Sequence, residues 1–84
     1  MQLQIITPEK ILFEGNAEMI TIPGSDGEFG VLTGHAPLIS SLREGTITID
    51  LAGKTQKKIH VTGGLAEVTP ERCTVLVERI TEDR

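Results

Sequence analysis

Thr46-Ile47-Thr48-Ile49-Asp50-Leu51 decides the fold class. Every second residue is a large aliphatic, so Ile47, Ile49 and Leu51 share one face and Thr46, Thr48 and Asp50 the other. A period of two is the mark of a strand with one face in a core and one toward water. Ala52-Gly53 reads as a turn, and Lys54 to Val61 returns antiparallel, with Ile59 and Val61 inward and Lys58 and His60 toward solvent. The same punctuation recurs in both directions. Upstream, Leu3 to Ile6, Ile11 to Phe13, Ala17 to Ile22 and Phe29 to Leu32 are short apolar runs separated by Pro8, Gly15-Asn16, Pro23-Gly24 and Gly34. Downstream, Leu65 to Thr69 and Cys73 to Glu78 flank a turn at Pro70-Glu71, with Cys73, Val75 and Val77 on one face and Leu76 on the other. Leu76 hints that both faces are partly covered.

No segment holds a 3.6-residue period over eleven residues. Ala36 to Leu42 is the nearest, with Pro37 near its start and Gly45 soon after its end, and it reads equally as one helical turn or as extended chain. Short strands with a turn every 8 to 12 residues or so predict an all-β fold, a flattened antiparallel β-sandwich or barrel. Its 84 residues support a single domain over 1–84, with 81–84 a polar tail.

Composition narrows the function. Eight Lys and Arg against twelve Asp and Glu give a net charge of -4, the wrong sign for a nucleic-acid surface. No run of 18 apolar residues occurs, and Met1-Gln2-Leu3-Gln4 has no basic region leading into a long apolar stretch, so neither a membrane span nor a signal peptide is expected. The glycine loop Pro23-Gly24-Ser25-Asp26-Gly27-Glu28-Phe29-Gly30 has no lysine and no helix pattern behind it, and Asp26 and Glu28 would repel a phosphate; its glycines suit tight turns. His35, His60 and Cys73 lack zinc spacing, and the alternation puts Cys73 inward as a small hydrophobe. Glu28 with His35 is the one conceivable acid–base pair, yet Ser25 and Thr33 lie outside any nucleophile motif. No catalytic, cofactor or metal site is expected. What stands out is Phe29-Gly30-Val31-Leu32-Thr33-Gly34-His35-Ala36-Pro37-Leu38-Ile39, apolar and nearly uncharged. Either it is wholly buried or it offers Val31, Leu32, Leu38 and Ile39 to a partner, with His35 a polar handle among them.

The block from Pro23 to Leu38 closely resembles the signature of the epsilon subunit of the rotary F-type ATP synthase, called delta in mitochondria. Leu3-Gln4-Ile5-Ile6-Thr7-Pro8 with Phe13 and Gly15, Leu42 with Gly45, Val61-Thr62-Gly63-Gly64-Leu65-Ala66-Glu67-Val68 and Cys73-Thr74-Val75-Leu76-Val77 extend the resemblance over residues 3 to 80. Gly34-His35-Ala36-Pro37-Leu38 is its most specific part. Thr33 stands where the family often has proline, and Leu32 where it often has an aromatic.

The resemblance implies a β-sandwich of about ten strands at the foot of the central stalk, a non-catalytic rotor part that packs on the gamma subunit, rests on the c-ring and helps couple proton flow to ATP synthesis. It puts Asp26 and Glu28 toward the c-ring loops, His35 at the gamma (stalk) interface, and makes Val31, Leu32 and Leu38 a mixture of core and gamma-facing positions. It implies peripheral attachment at the cytoplasmic face of a bacterial inner membrane without insertion, and an isolated chain that is monomeric. Family members usually continue into a pair of helices, which in some bacteria binds ATP. Neither that hairpin nor an ATP site is expected in residues 1–84. The alternative is a generic β-sandwich interaction module of another complex. A carbohydrate-binding sandwich is disfavoured, since the chain has no Trp or Tyr to form a sugar platform.

Overall fold

The computed structural model describes residues 1–78, which form nine strands and one short 3₁₀ turn. The strands are β1 (Gln2–Ile6), β2 (Ile11–Asn16), β3 (Met19–Gly24), β4 (Gly27–Leu32), β5 (Leu38–Leu42), β6 (Gly45–Asp50), β7 (Gln56–Val61), β8 (Gly64–Val68) and β9 (Arg72–Val77). The predicted tail at 81–84 lies outside the described residues. Hydrogen bonding joins the strands in the order β2-β1-β9-β8-β5-β3-β6-β7, with β4 on the other side of β3.

The alternation of β6 is realised as read: Ile47 and Ile49 are fully buried, Leu51 packs against them, and Thr46, Thr48 and Asp50 are half-buried. The ambiguous stretch before it resolves into extended chain. Leu38 to Leu42 is strand β5, because pairing with β8 from Leu38↔Val68 to Leu42↔Gly64 satisfies its backbone. One pair departs from the antiparallel expectation. β1 lies parallel to β9, Gln2 beside Arg72 through Ile6 beside Leu76. A parallel pair needs a long crossover, and here nearly the whole chain supplies it.

The sheet curls so that one face of every strand closes on a single core. Leu3 and Ile5 from β1, Ile20 and Ile22 from β3, Val31 from β4, Ile47 and Ile49 from β6, Val61 from β7, and Val75 and Val77 from β9 are all fully buried. The corner is at Gly24, which pairs with Gly27 of β4 on one side and Leu42 of β5 on the other. No polar or charged residue is buried among the described residues, so the core is held by apolar packing alone.

Candidate docking surfaces

Strand direction sorts the loops to two ends. The turns at Thr7–Lys10, Gly24–Gly27, Arg43–Glu44 and Thr62–Gly63 gather at one end, and those at 33–37, 51–55 and 69–71 at the other. The first end is cross-tied. Ser25 N–H donates to the Ser41 carbonyl at 2.9 Å, Arg43 N–H to the Pro23 carbonyl at 3.0 Å, and the Ser25 and Ser41 hydroxyls meet at 2.9 Å. Those bonds fix the turn that carries Asp26 and leads into Glu28. Both residues are exposed, and among the described residues neither carboxylate has an ion-pair or hydrogen-bond partner. Glu9, Glu44 and Glu78 share this end with Lys10 and Arg43, so it is acidic on balance. His60 also reaches it. It is half-buried rather than fully exposed, its Nδ1 3.2 Å from Thr46 Oγ1 and its Nε2 3.5 Å from Glu44 Oε2.

His35 sits at the opposite end. Its backbone N–H donates to Leu32 at 3.0 Å, and Gly34 N–H donates to Pro70 at 2.8 Å, tying this loop to the β8–β9 turn. Its Nδ1 is 2.8 Å from the Ala36 carbonyl, which can only accept, so the proton sits on Nδ1. Glu28 and His35 are not an acid–base pair: Glu28 is near the start of β4 and His35 follows its other end, with four residue steps, about 13 Å of strand, between Glu28 and Leu32 alone.

The apolar residues of the 29–39 stretch, three of them (Val31, Leu32 and Leu38) expected on the gamma side, separate by parity. Val31 is fully buried, so it builds the core and has no surface to offer, a correction to its reading as an interface residue. Leu38 is half-buried against the core. Leu32 is 56% exposed, and Ile39 is 66% exposed.

A second surface feature escaped the sequence reading. Register places Ile11, Ile6, Leu76 and Leu65 side by side across β2, β1, β9 and β8 on the outer face. Ile11, Leu65 and Leu76 are all exposed, and Pro8, Leu65 and Leu76 help line an open depression of about 270 Å³ at the acidic end of this row. The signal was present in the wrong-face position of Leu76. It needed the parallel β1–β9 register to be read as a row. Contiguous exposed aliphatics of this kind mark interaction surfaces.

Among the described residues no group of three His, Cys, Asp or Glu side chains could hold a metal, and no helix is long and apolar enough to cross a membrane. Cys73 is buried on β9, and burial pushes its thiol from 9.0 up to about 11. The unfolded chain thus loses that proton near pH 9 while the folded chain keeps it to about 11. Stability contributed by the neutral thiol is complete below pH 9 and declines between 9 and 11, by on the order of 2 kcal/mol. Urea midpoints at pH 8 and pH 10.5 should show this loss in the parent chain and a smaller one in Cys73→Ala. Equal losses would mean the thiol is not held neutral.

Fold and surface together define a small β-sandwich domain with exposed aliphatic and acidic patches. Residues 1–83 match the family described as the ATP synthase delta/epsilon chain, beta-sandwich domain. The ATP synthase epsilon chain of Rhodospirillum rubrum is 47% identical over 92% of this chain and 58% of its own length, and that of Parvibaculum lavamentivorans 45% identical over 93% and 59%. The chain belongs to this family, and it spans a little under three fifths of the length of those curated relatives. Among solved structures, a chain of the Euglena gracilis mitochondrial ATP synthase (OSCP/F1/c-ring, rotational state 1) superposes with a TM-score of 0.87 at 22% identity, covering 94% of this chain and 51% of that one. A chain of the Tetrahymena thermophila mitochondrial ATP synthase central stalk and c-ring superposes at 0.81 and 15% identity, covering 96% and 65%. At those identities the likeness is one of fold.

Proposed function

We propose that this chain is a non-catalytic foot of the central rotor of a proton-translocating ATP synthase, packed on the gamma subunit and resting on the c-ring at the cytoplasmic face of a bacterial inner membrane. The observation that carries the proposal is the family match running over residues 1–83. The surface is compatible with it in physical terms. A collar that transmits torque needs apolar area on the shaft, available at Leu32, Ile39, Leu65 and Leu76, and charges that set its register on the ring, available at Asp26 and Glu28. Interface charges give orientation more than affinity. Coupling through this body needs no chemistry of its own.

The test is reassembly with gamma and c subunits. The chain is expected to co-purify with them, and a generic sandwich module would not. Glu28→Gln should leave the fold intact, since an exposed carboxylate without partners contributes within about 0.5 kcal/mol. In the reassembled enzyme the same variant should weaken ATP-driven proton pumping. Unchanged assembly and pumping would remove Glu28 from the coupling surface.

A further inference from the structure

Among the described residues the sheet has open edges on β2, β7 and β4, and a partly covered one on β5, which meets β3 only at Leu42 and whose Ser41 carbonyl is taken by Ser25 N–H. An exposed edge is a template for another strand, and proteins guard such edges with lysines, bulges or bends. β7 carries Lys57 and Lys58, with Lys54 in the turn before it. β2 follows Lys10, and its register is broken by a shift between Ile5 and Ile6 of its neighbour. β4 has no lysine, bulge or bend, and its one charge is Glu28. It pairs with β3 in unbroken register from Gly24↔Gly27 to Met19↔Leu32, and its sequence is Gly-Glu-Phe-Gly-Val-Leu.

Pro23 shows which backbone groups that edge presents. It has no N–H, and its carbonyl accepts from Arg43, on the side away from β4. Pro23↔Glu28 is therefore a pair without ladder bonds, and by alternation so is Thr21↔Gly30. Hence Phe29 and Val31 bond to β3, while Glu28 and Gly30 turn both N–H and C=O outward. Both residues are exposed, and no described residue takes those groups. Gly30 adds a second sign. Its φ is not positive, and a Cβ there would meet only Met19, at 3.7 Å from Sδ, so nothing inside the domain requires glycine. A mid-strand glycine with no internal reason marks close approach from outside.

We infer that β4 accepts an added strand: an extended segment of the gamma subunit, bonded through the backbones of Glu28 and Gly30, which leaves the Glu28 carboxylate free for the ring. This rests on the rotor reading. Continuity favours gamma over the ring, because the edge ends at Leu32, whose carbonyl holds His35 on the proposed stalk side.

Amide hydrogen exchange on the chain, free and mixed with purified gamma subunit or with detergent-solubilised c-ring, tests it. In the free chain the Glu28 and Gly30 amides are expected to exchange as open backbone, and those of Phe29 and Val31 slowly. With gamma bound, exchange at 28 and 30 should slow at least tenfold. Gly30→Pro removes one outward donor without touching the β3 ladder and should weaken gamma binding roughly tenfold, and Gly30→Ala, which keeps the donor but sets a methyl group where the added strand approaches, should weaken it less, by roughly threefold. A gamma complex that forms with both amides still fast overturns this inference and leaves the rotor reading standing. Slowing by the c-ring alone overturns the choice of gamma. Failure to bind gamma at all brings down both readings.

Discussion

Gly64→Ala is expected to lower stability by about 3–5 kcal/mol, as much as many domains of this size possess. Gly64 opens β8 with φ at +151°, a backbone conformation side-chain-bearing residues rarely adopt, which costs of order 1–3 kcal/mol. It also lies between β5 and β9, opposite Leu42 and Val77. A Cβ there would collide with the Leu76 carbonyl oxygen and stand 2.9 Å from Val77 Cα. Both obstacles are backbone, so no rotamer change relieves them, and forcing the strands apart costs another 1–3 kcal/mol or so. Thermal unfolding should shift down by roughly 15–30 °C. Gly53→Ala is the control. Gly53 also has positive φ, at +79°, but nothing lies within 4 Å of its Cβ position, so it should lose only about 1 kcal/mol. Equal losses would show that close strand approach at Gly64 is not what demands the glycine.

That position also shows what a linear sequence hides. Gly63-Gly64 is visible as a break in the chain, but the reason for the second glycine is a strand twelve residues on, brought alongside by sheet pairing. Local alternation carries most of the fold: parity turns Ile47 and Ile49, Ile59 and Val61, and Cys73, Val75 and Val77 inward, and all are on the inner face, Ile59 only half-buried. Two features were beyond its reach. The parallel β1–β9 pair joins residues seventy positions apart, which no local pattern encodes. The stretch from Phe29 to Ile39 has glycines at 30 and 34 in place of polar markers, so its inner and outer residues look alike until β3 supplies the register that buries Val31 and leaves Leu32 out. The candidate site suffered in the same way. Asp26 and His35 belong to one continuous motif, which suggests one surface, yet the hairpin carries them to opposite ends of the domain. Their proposed partners can accordingly lie at different heights along a rotor.

Ile20→Ala is expected to cost about 3–4 kcal/mol, and Leu32→Ala less than about 1. The two residues stand at the same end of one hairpin, and both would be called core by hydropathy. Ile20 lies at the centre of a cross-strand row, paired with Val31 on one side and Ile49 on the other, and all three are fully buried. Removing its branched side chain leaves a cavity walled by β-sheet on both sides, and hydrogen-bonded strands cannot move in to fill it, which places the loss in the upper part of the usual 2–5 kcal/mol range. Leu32 is more than half exposed, so its truncation returns little buried area to water. The functional order should be the reverse. In Leu32→Ala, gamma binding should weaken while the urea midpoint hardly moves; in Ile20→Ala, any binding loss should track the unfolded fraction and recover as temperature is lowered toward the stability maximum. Urea unfolding of both variants, with gamma binding measured under conditions where each is folded, separates the roles. If Leu32→Ala unfolds as readily as Ile20→Ala, the outer face of β4 is part of the core and is not free to meet a partner.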